Sequence, residues 1–312
     1  MVGKIAVVFP GQGSQYPGMG KELAEKYTVA KQVFTEADAI KPLSGLCFEG
    51  PEEELRKTVN TQPALLTANM ACFQVLRSRG IQPDFLAGHS LGEYCALVAA
   101  GVLDFTDALK LVIVRSRLME EAVPQGVGGM AAILGLPPET VADICREVAV
   151  SSWVEPANYN CPGQVVIAGY REGVAQAMEL AKNRGARRVI PLNVSGPFHS
   201  RLMEPAGIAL AQELKKVSFQ PPELPVVANV TATIEDNPEA IAANLAQQVQ
   251  NPVRWEESVM FLYEQGVRTF IEVGPGKVLT GLIKKTVKDV LLLNVEDEDS
   301  LQATIHKLEE VN

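Results

Sequence analysis

Gly88-His89-Ser90-Leu91-Gly92 sets a serine between two glycines where the surrounding pattern changes from strand to helix. Phe85-Leu86-Ala87 reads as the end of a buried strand and Tyr94 to Ala100 as an apolar helix, so the turn between them holds Ser90 exposed on a sharp, strained backbone. Such an elbow presents a weak nucleophile to a carbonyl. The flanking glycines have a steric reason, because the reversal needs unusual backbone angles and lets strand and helix approach closely. The string alone is common in tight turns; the strand before it and the helix after it set this one apart.

The same alternation continues on both sides of the elbow. Ile5 to Phe9 is an apolar run that opens into Pro10-Gly11-Gln12-Gly13, a strand followed by a loop. Helical patterns cover Gly20 to Ala39, Gln62 to Arg79 with Gly80 as C-cap, and Thr106 to Glu121 with Asp104 as a cap. Strands alternating with helices predict an α/β fold, here an α/β-hydrolase-like large domain with a mostly parallel sheet. After the turn-rich Pro124 to Gly129, the pattern reads strand Met130–Leu134, helix Pro138–Ala149, strands Val154–Asn158 and Gln164–Ala168, helix Val174–Arg184 and strand Arg188–Leu192. This β-α-β-β-α-β order predicts an inserted ferredoxin-like subdomain over 126–195, with the catalytic domain formed by 1–125 and 196–312. The returning chain reads as helix Arg201–Lys215, strand Pro225–Asn229, helices Pro238–Gln248 and Trp255–Gln265, strand Thr269–Val273, helix Val278–Lys288, strand Leu291–Val295 and helix Ser300–Glu309.

Composition narrows the class. With 312 residues, 47% hydrophobic and 21% charged, the chain has the make-up of a globular protein able to bury a large core. A net charge of -9 opposes non-specific attraction to nucleic acid or an anionic membrane. The compact basic groups, Lys284-Lys285 with Lys288 and Arg184 with Arg187-Arg188, read as solvated faces. No stretch reaches the ~18 apolar residues of a membrane helix, and Met1 to Phe9 is too short for a signal-peptide core, so the expectation is a cytoplasmic protein. The five cysteines are widely spaced with no Cys-x-x-Cys pair, which predicts reduced thiols and no metal site.

A serine nucleophile needs a base, and the chain has three histidines. His306 lies on the terminal helix, and His89 sits inside the elbow with its ring directed away from Ser90. His199, in Ser195-Gly196-Pro197-Phe198-His199-Ser200, lies where a loop leaves the subdomain and can face the elbow. No Asp or Glu stands out as a triad acid, so a dyad oriented by a backbone carbonyl is expected. The Leu91 amide, just after the nucleophile, supplies one oxyanion donor, and the Gln12 amide between two glycines suits the second. Gly11-Gln12-Gly13 lacks the third glycine of a dinucleotide loop, because Tyr16 stands at that spacing, and nucleotide binding is not expected. Arg115 lies on the apolar stripe of Ala108, Leu111, Leu118 and Met119 with no carboxylate three or four residues away. It binds either an anionic substrate group or a distant structural acid. Arg117, with Glu120 and Glu121 in reach, reads as a surface ion pair.

Several of these segments together resemble the malonyl-CoA:acyl-carrier-protein transacylases of fatty acid synthesis. The likeness rests on Phe9-Pro10-Gly11-Gln12-Gly13-Ser14-Gln15, Thr61-Gln62-Pro63-Ala64, Gly88 to Glu93, Asn160-Cys161-Pro162-Gly163-Gln164, Gly196 to Ser200, Asn251-Pro252-Val253-Arg254-Trp255 and Glu272 to Gly276, and so spans nearly the whole chain. Cys161 stands where many relatives have serine. The resemblance implies a cytoplasmic acyltransferase in which Ser90 carries the acyl group, His199 is the base, and the Gln12 and Leu91 amides form the oxyanion hole. It implies that Arg115 holds the free carboxylate of malonate and that the Gln248 carbonyl orients the histidine. Asn160 is expected to line the cleft, and Phe198 to exclude a methyl branch. Malonyl-CoA and acyl carrier protein are the implied partners. The expected enzyme is a monomer without a cofactor or metal, coenzyme A thioester being a substrate. The elbow alone is also compatible with a serine hydrolase, a trans-acting polyketide acyltransferase or a non-catalytic scaffold.

Overall fold

The computed structural model describes residues 3–311. Ten strands occur among these residues: β1 (Lys4–Phe9), β2 (Phe85–Gly88), β3 (Gly128–Leu134), β4 (Val154–Cys161), β5 (Gln164–Tyr170), β6 (Arg188–Pro191), β7 (Val226–Val227), β8 (Ile234–Glu235), β9 (Val267–Val273) and β10 (Leu291–Val295). They form two sheets.

The larger sheet has the order β10-β9-β1-β2-β7-β8, parallel throughout except for the antiparallel pairing of β7 with β8. β1 is central, and Ala6 to Phe9 are completely buried, as the continuous apolar run requires of a strand covered on both faces. Its residues alternate between two cores. Val7 and Phe9 join Leu86, Ile271 and Val295 on one face, while Ala6 and Val8 join Ala87, Phe270 and Trp255 on the other.

The second sheet, order β4-β5-β3-β6, is antiparallel at every pairing. Helices Pro138–Ala149 and Arg171–Asn183 connect its strands in the ferredoxin-like order, and Ile133, Ile144, Val165, Ile167 and Val174 share their core. β4 is longer than its sequence pattern. Its extra residues are tied to the loop before the helix Trp255–Glu264: the Tyr159 amide donates to the Val253 carbonyl and the Val253 amide to the Ala157 carbonyl, both at 2.9 Å. This seam brings the smaller sheet against one wall of the elbow region.

Some boundaries differ from the sequence pattern for tertiary reasons. The single helix expected over Gly20 to Ala39 is two, Lys21–Lys26 and Thr28–Asp38, with Tyr27 extended between them. The Tyr27 hydroxyl donates to Glu298 Oε2 at 2.8 Å and accepts from Arg79 Nη2 at 2.7 Å, partners far away in sequence. The next long helix begins at Thr58 rather than Gln62 and runs through Pro63. Proline cannot donate to the Val59 carbonyl, and Lys41 Nζ donates to it instead, at 2.7 Å. Short helices Ser44–Glu49 and Glu52–Leu55 and strand β8 carry no periodic signal long enough to read. Arg117 forms no ion pair among the described residues; Glu120 accepts from Ser195 Oγ at 2.7 Å instead.

The elbow follows β2 directly into the helix Leu91–Ala99. A Cβ on Gly88 would stand 1.9 Å from the Gly92 carbonyl, and one on Gly92 would stand 2.0 Å from the Phe9 carbonyl oxygen. Both obstacles are backbone, so no rotamer change relieves them. Gly92→Ala is therefore expected to destabilise the fold by about 1–3 kcal/mol or more, read as a lower urea midpoint at unchanged m-value. A midpoint equal to wild type would show that strand and helix are not packed this closely.

Candidate active site

Ser90 has φ 53°, strained for a non-glycine residue, and stands at the position just before the helix that follows, with no capping bond from its side chain. A position of this kind costs of order 1–3 kcal/mol and persists where the surroundings fix it. Here Asn229, just after β7, does the fixing: its Oδ1 accepts from the Ser90 amide at 2.6 Å and its Nδ2 donates to the Gly88 carbonyl at 2.6 Å. One side chain closes both ends of the turn.

His199 also has a positive φ, 59°, and its amide donates to the Val249 carbonyl at 3.0 Å. Its Nδ1 lies 2.8 Å from the Gln248 carbonyl oxygen and its Nε2 lies 2.8 Å from Ser90 Oγ. A carbonyl only accepts, so Nδ1 carries the proton and Nε2 is left free to accept from the serine hydroxyl. The expected dyad is assembled with no acid in the third place.

His199 is buried, and burial with the nearby Arg115 charge pushes its pKa down to about 3. The imidazole is neutral at physiological pH, with its Nε2 lone pair unprotonated. Unfolded, it would take up a proton near 6.5, so this residue makes stability fall as pH drops from about 6.5 toward 3. We expect kcat/KM to show no acid limb at the ordinary imidazole pKa; a rate profile with a limb centred near 6.5 would contradict this placement of His199.

Arg115 is 1% exposed on the helix Phe105–Glu121. Its Nη1 donates to Gln62 Oε1 at 2.5 Å, and its Nη2 donates to Gln248 Oε1 at 2.8 Å and Ser90 Oγ at 3.1 Å. The guanidinium also lies over the Tyr94 ring, 5.5 Å from its centroid. No carboxylate lies within 4 Å of it among the described residues, and its Nε is buried without a partner. All of its protein acceptors are neutral. Of the two readings open at the sequence level, this environment favours the anion-binding one.

A cavity of about 100 Å³ opens over Ser90. Gln12, Gln62, Leu91, Arg115, Met119, Asn158, Phe198 and His199 are among its lining residues. The amides of Gln12 and Leu91, two residues that line this cavity, donate to no protein acceptor among the described residues. Phe198 is 5% exposed and narrows the cavity.

Asn160 is placed differently from expectation. Its Oδ1 lies 2.9 Å from His89 Nε2, and it is Asn158, two residues earlier on β4, that lines the cavity. Asn160 reaches the site only through the His89 ring, which packs on Trp255 with centroids 5.7 Å apart. His306 is an exposed partner of Glu310. All five cysteines are free and buried, and no cluster of metal-ligating side chains occurs among the described residues. No helix among them is long and apolar enough to cross a membrane.

Three residues around the dyad escaped the sequence reading. Gln62 and Asn229 are neutral amides with no distinctive spacing, and Glu93 reads as an ordinary first-turn acid of the helix after the elbow. Glu93 is in fact fully buried, and its Oε2 accepts from Gln248 Nε2 at 2.9 Å and from the Asn229 amide at 2.8 Å.

The chain resembles known proteins over nearly its whole length. The acyl transferase domain model matches residues 6–308. The malonyl CoA-acyl carrier protein transacylase of Bacillus subtilis (strain 168) is 50% identical over 312 residues, covering 99% of this chain and 98% of that protein. The crystal structure of an acyl carrier protein S-malonyltransferase from Vibrio cholerae superposes with a TM-score of 0.94 at 49% identity, covering 96% of this chain and 99% of that one. A malonyl-transacylase solved in complex with a type II PKS acyl-carrier protein gives 0.95 at 48% identity, covering 97% and 99%. The chain therefore belongs to the acyl transferase family and, within it, groups with the malonyl CoA-acyl carrier protein transacylases.

Proposed function

We propose that this protein transfers the malonyl group of malonyl-CoA to the phosphopantetheine thiol of acyl carrier protein, through a malonyl ester on Ser90, in fatty acid synthesis. The observation that carries the proposal is a buried Arg115 with neutral partners, reaching the oxygen of a serine already hydrogen-bonded to a neutral histidine.

Ser90 Oγ attacks the thioester carbonyl as its proton passes to His199 Nε2. The Gln12 and Leu91 amides receive the oxyanion, the intermediate collapses, and the coenzyme A thiolate leaves with the proton held by His199. The carrier thiol then reverses these steps. The malonyl carboxylate binds Arg115, whose charge otherwise depresses the basicity of His199. Substrate thus offsets that charge and makes its own base stronger.

A covalent intermediate passed between two thiols requires ping-pong kinetics. Initial rates measured against malonyl-CoA at several carrier concentrations should give parallel double-reciprocal lines. Intersecting lines, the mark of a ternary complex, would overturn the proposal.

A further inference from the structure

Two buried carboxyl groups behind the elbow take no part in the transfer. Glu93 is 0% exposed and Glu235, on β8, is 4% exposed. A third buried acid, Glu272, has both oxygens occupied by backbone amides of Leu279 and Thr280, at 3.0 and 2.7 Å. The first two are not so provided for. Helix Pro238–Gln248 presents Asn244 and Gln248, four residues apart and hence neighbours on one helix face. Asn244 Nδ2 donates to Glu235 Oε1 at 2.8 Å, and Gln248 Nε2 donates to Glu93 Oε2 at 2.9 Å. Adjacent turns of one helix face thus hold one acid each. One oxygen of each, Glu93 Oε1 and Glu235 Oε2, is buried with no donor.

Two ionised carboxylates so placed would repel, and each would bury an unsatisfied oxygen. A proton on one of them removes the repulsion and the cost of a second buried charge. We propose that Glu93 and Glu235 together hold one proton and one negative charge, and that this charge positions Gln248 and, through it, Arg115 and His199. Gln248 is the relay. Its Nε2 points to Glu93 while its Oε1 accepts from Arg115 at 2.8 Å, and its backbone carbonyl holds His199 Nδ1. The pair is the counter-charge of Arg115 at one remove, leaving the guanidinium able to take a substrate carboxylate.

Burial pushes both carboxyl groups upward, and the Glu93 charge adds to the rise at Glu235. The charged and titratable groups facing the pair are Arg115 from the helix Phe105–Glu121, which favours the ionised form, and Tyr94 from Glu93's own helix. His199 lies on the far side of Gln248. Asn229 and Asn244 contribute hydrogen bonds and no charge.

The folded chain at neutral pH holds one carboxyl proton that the unfolded chain has lost. This proton makes stability fall as pH rises from the carboxylate range until the second carboxyl ionises. Glu235→Gln keeps the side chain's shape and leaves the single charge on Glu93, but it has no proton to lose. The slope of unfolding free energy against pH near neutrality should therefore differ from wild type by one proton per molecule. The kinetic consequence rests on the transfer reaction proposed above: in wild type, ionising the second carboxyl gives kcat/KM an alkaline limb falling about tenfold per pH unit, and in Glu235→Gln this limb is absent. The proton count holds whatever the site transfers, so the two ideas fail separately. Infrared difference spectroscopy of the wild-type protein guards against a variant that does not fold, since it should show a protonated-carboxyl band at pH 7 that disappears on alkaline titration. A proton count unchanged in Glu235→Gln, or a wild-type spectrum with no such band at pH 7, would overturn the proposal.

Discussion

Ser90→Ala should lower malonyl transfer by about four orders of magnitude or more, leaving the fold intact. The removed oxygen is the only hydroxyl within hydrogen-bond reach of both His199 Nε2 and Arg115 Nη2 among the described residues. Members of a nucleophile–base unit act together, so deleting either removes nearly all of the covalent pathway and leaves only binding and oxyanion stabilisation. Alanine also suits the site structurally, because the elbow is fixed through the Ser90 amide and carbonyl. These are held by Asn229 at 2.6 Å and by Gln248 Nε2 at 3.0 Å, and neither contact needs the side chain. Far-UV circular dichroism and the urea midpoint should stay close to wild type while the steady-state rate collapses. A variant retaining more than about a hundredth of the rate would show that the acyl group is carried elsewhere.

Arg115→Ala should invert substrate preference. We expect kcat/KM for malonyl-CoA to fall about 10²–10³-fold, the scale on which truncating one partner of a buried, hydrogen-bonded charge pair acts, roughly 2–5 kcal/mol. Acetyl transfer should be spared or improved, because an acetyl group leaves the guanidinium without an anion and gains nothing from it. The substitution also removes the donor to Gln62 and Gln248, a disturbance common to both acyl groups that cancels in their ratio. The malonyl-to-acetyl ratio is therefore the informative readout. Arg115→Lys keeps a charge without the planar fork and should fall between the two. Equal losses for both acyl groups would remove Arg115 from the acyl pocket.

The elements of the large sheet were legible because parallel strands buried on both faces are written as unbroken apolar runs, as in Ile5 to Phe9 and Phe85 to Ala87. The serine and histidine were legible for a chemical reason: an elbow and a choice of three histidines leave little freedom once one is exposed and another lies inside the turn. The supporting shell was not. Asn229 and Gln248 act through amide groups aimed by the ends of β7 and of the helix Pro238–Gln248, and nothing local in the sequence marks that aim. The family resemblance supplied the backbone carbonyl of Gln248, yet its side chain bridges Arg115 and Glu93 as well. Asn160 shows the converse, since its motif placed it near the site but only the packed strand shows that it faces His89. Tyr27 and Thr58 escaped because their helix boundaries are set by Glu298, Arg79 and Lys41 across the fold.

The central claim is that Ser90 holds malonate between two thiols, and intact mass tests it most directly. Wild-type protein mixed with malonyl-CoA and rapidly desalted should gain the mass of one malonyl group, mapped to the peptide containing Ser90, and should keep it in buffer. Adding acyl carrier protein bearing its phosphopantetheine thiol should return the enzyme to its original mass while the carrier gains the malonyl group. An adduct lost to water at the same rate with or without carrier, or no adduct at all, would contradict the account.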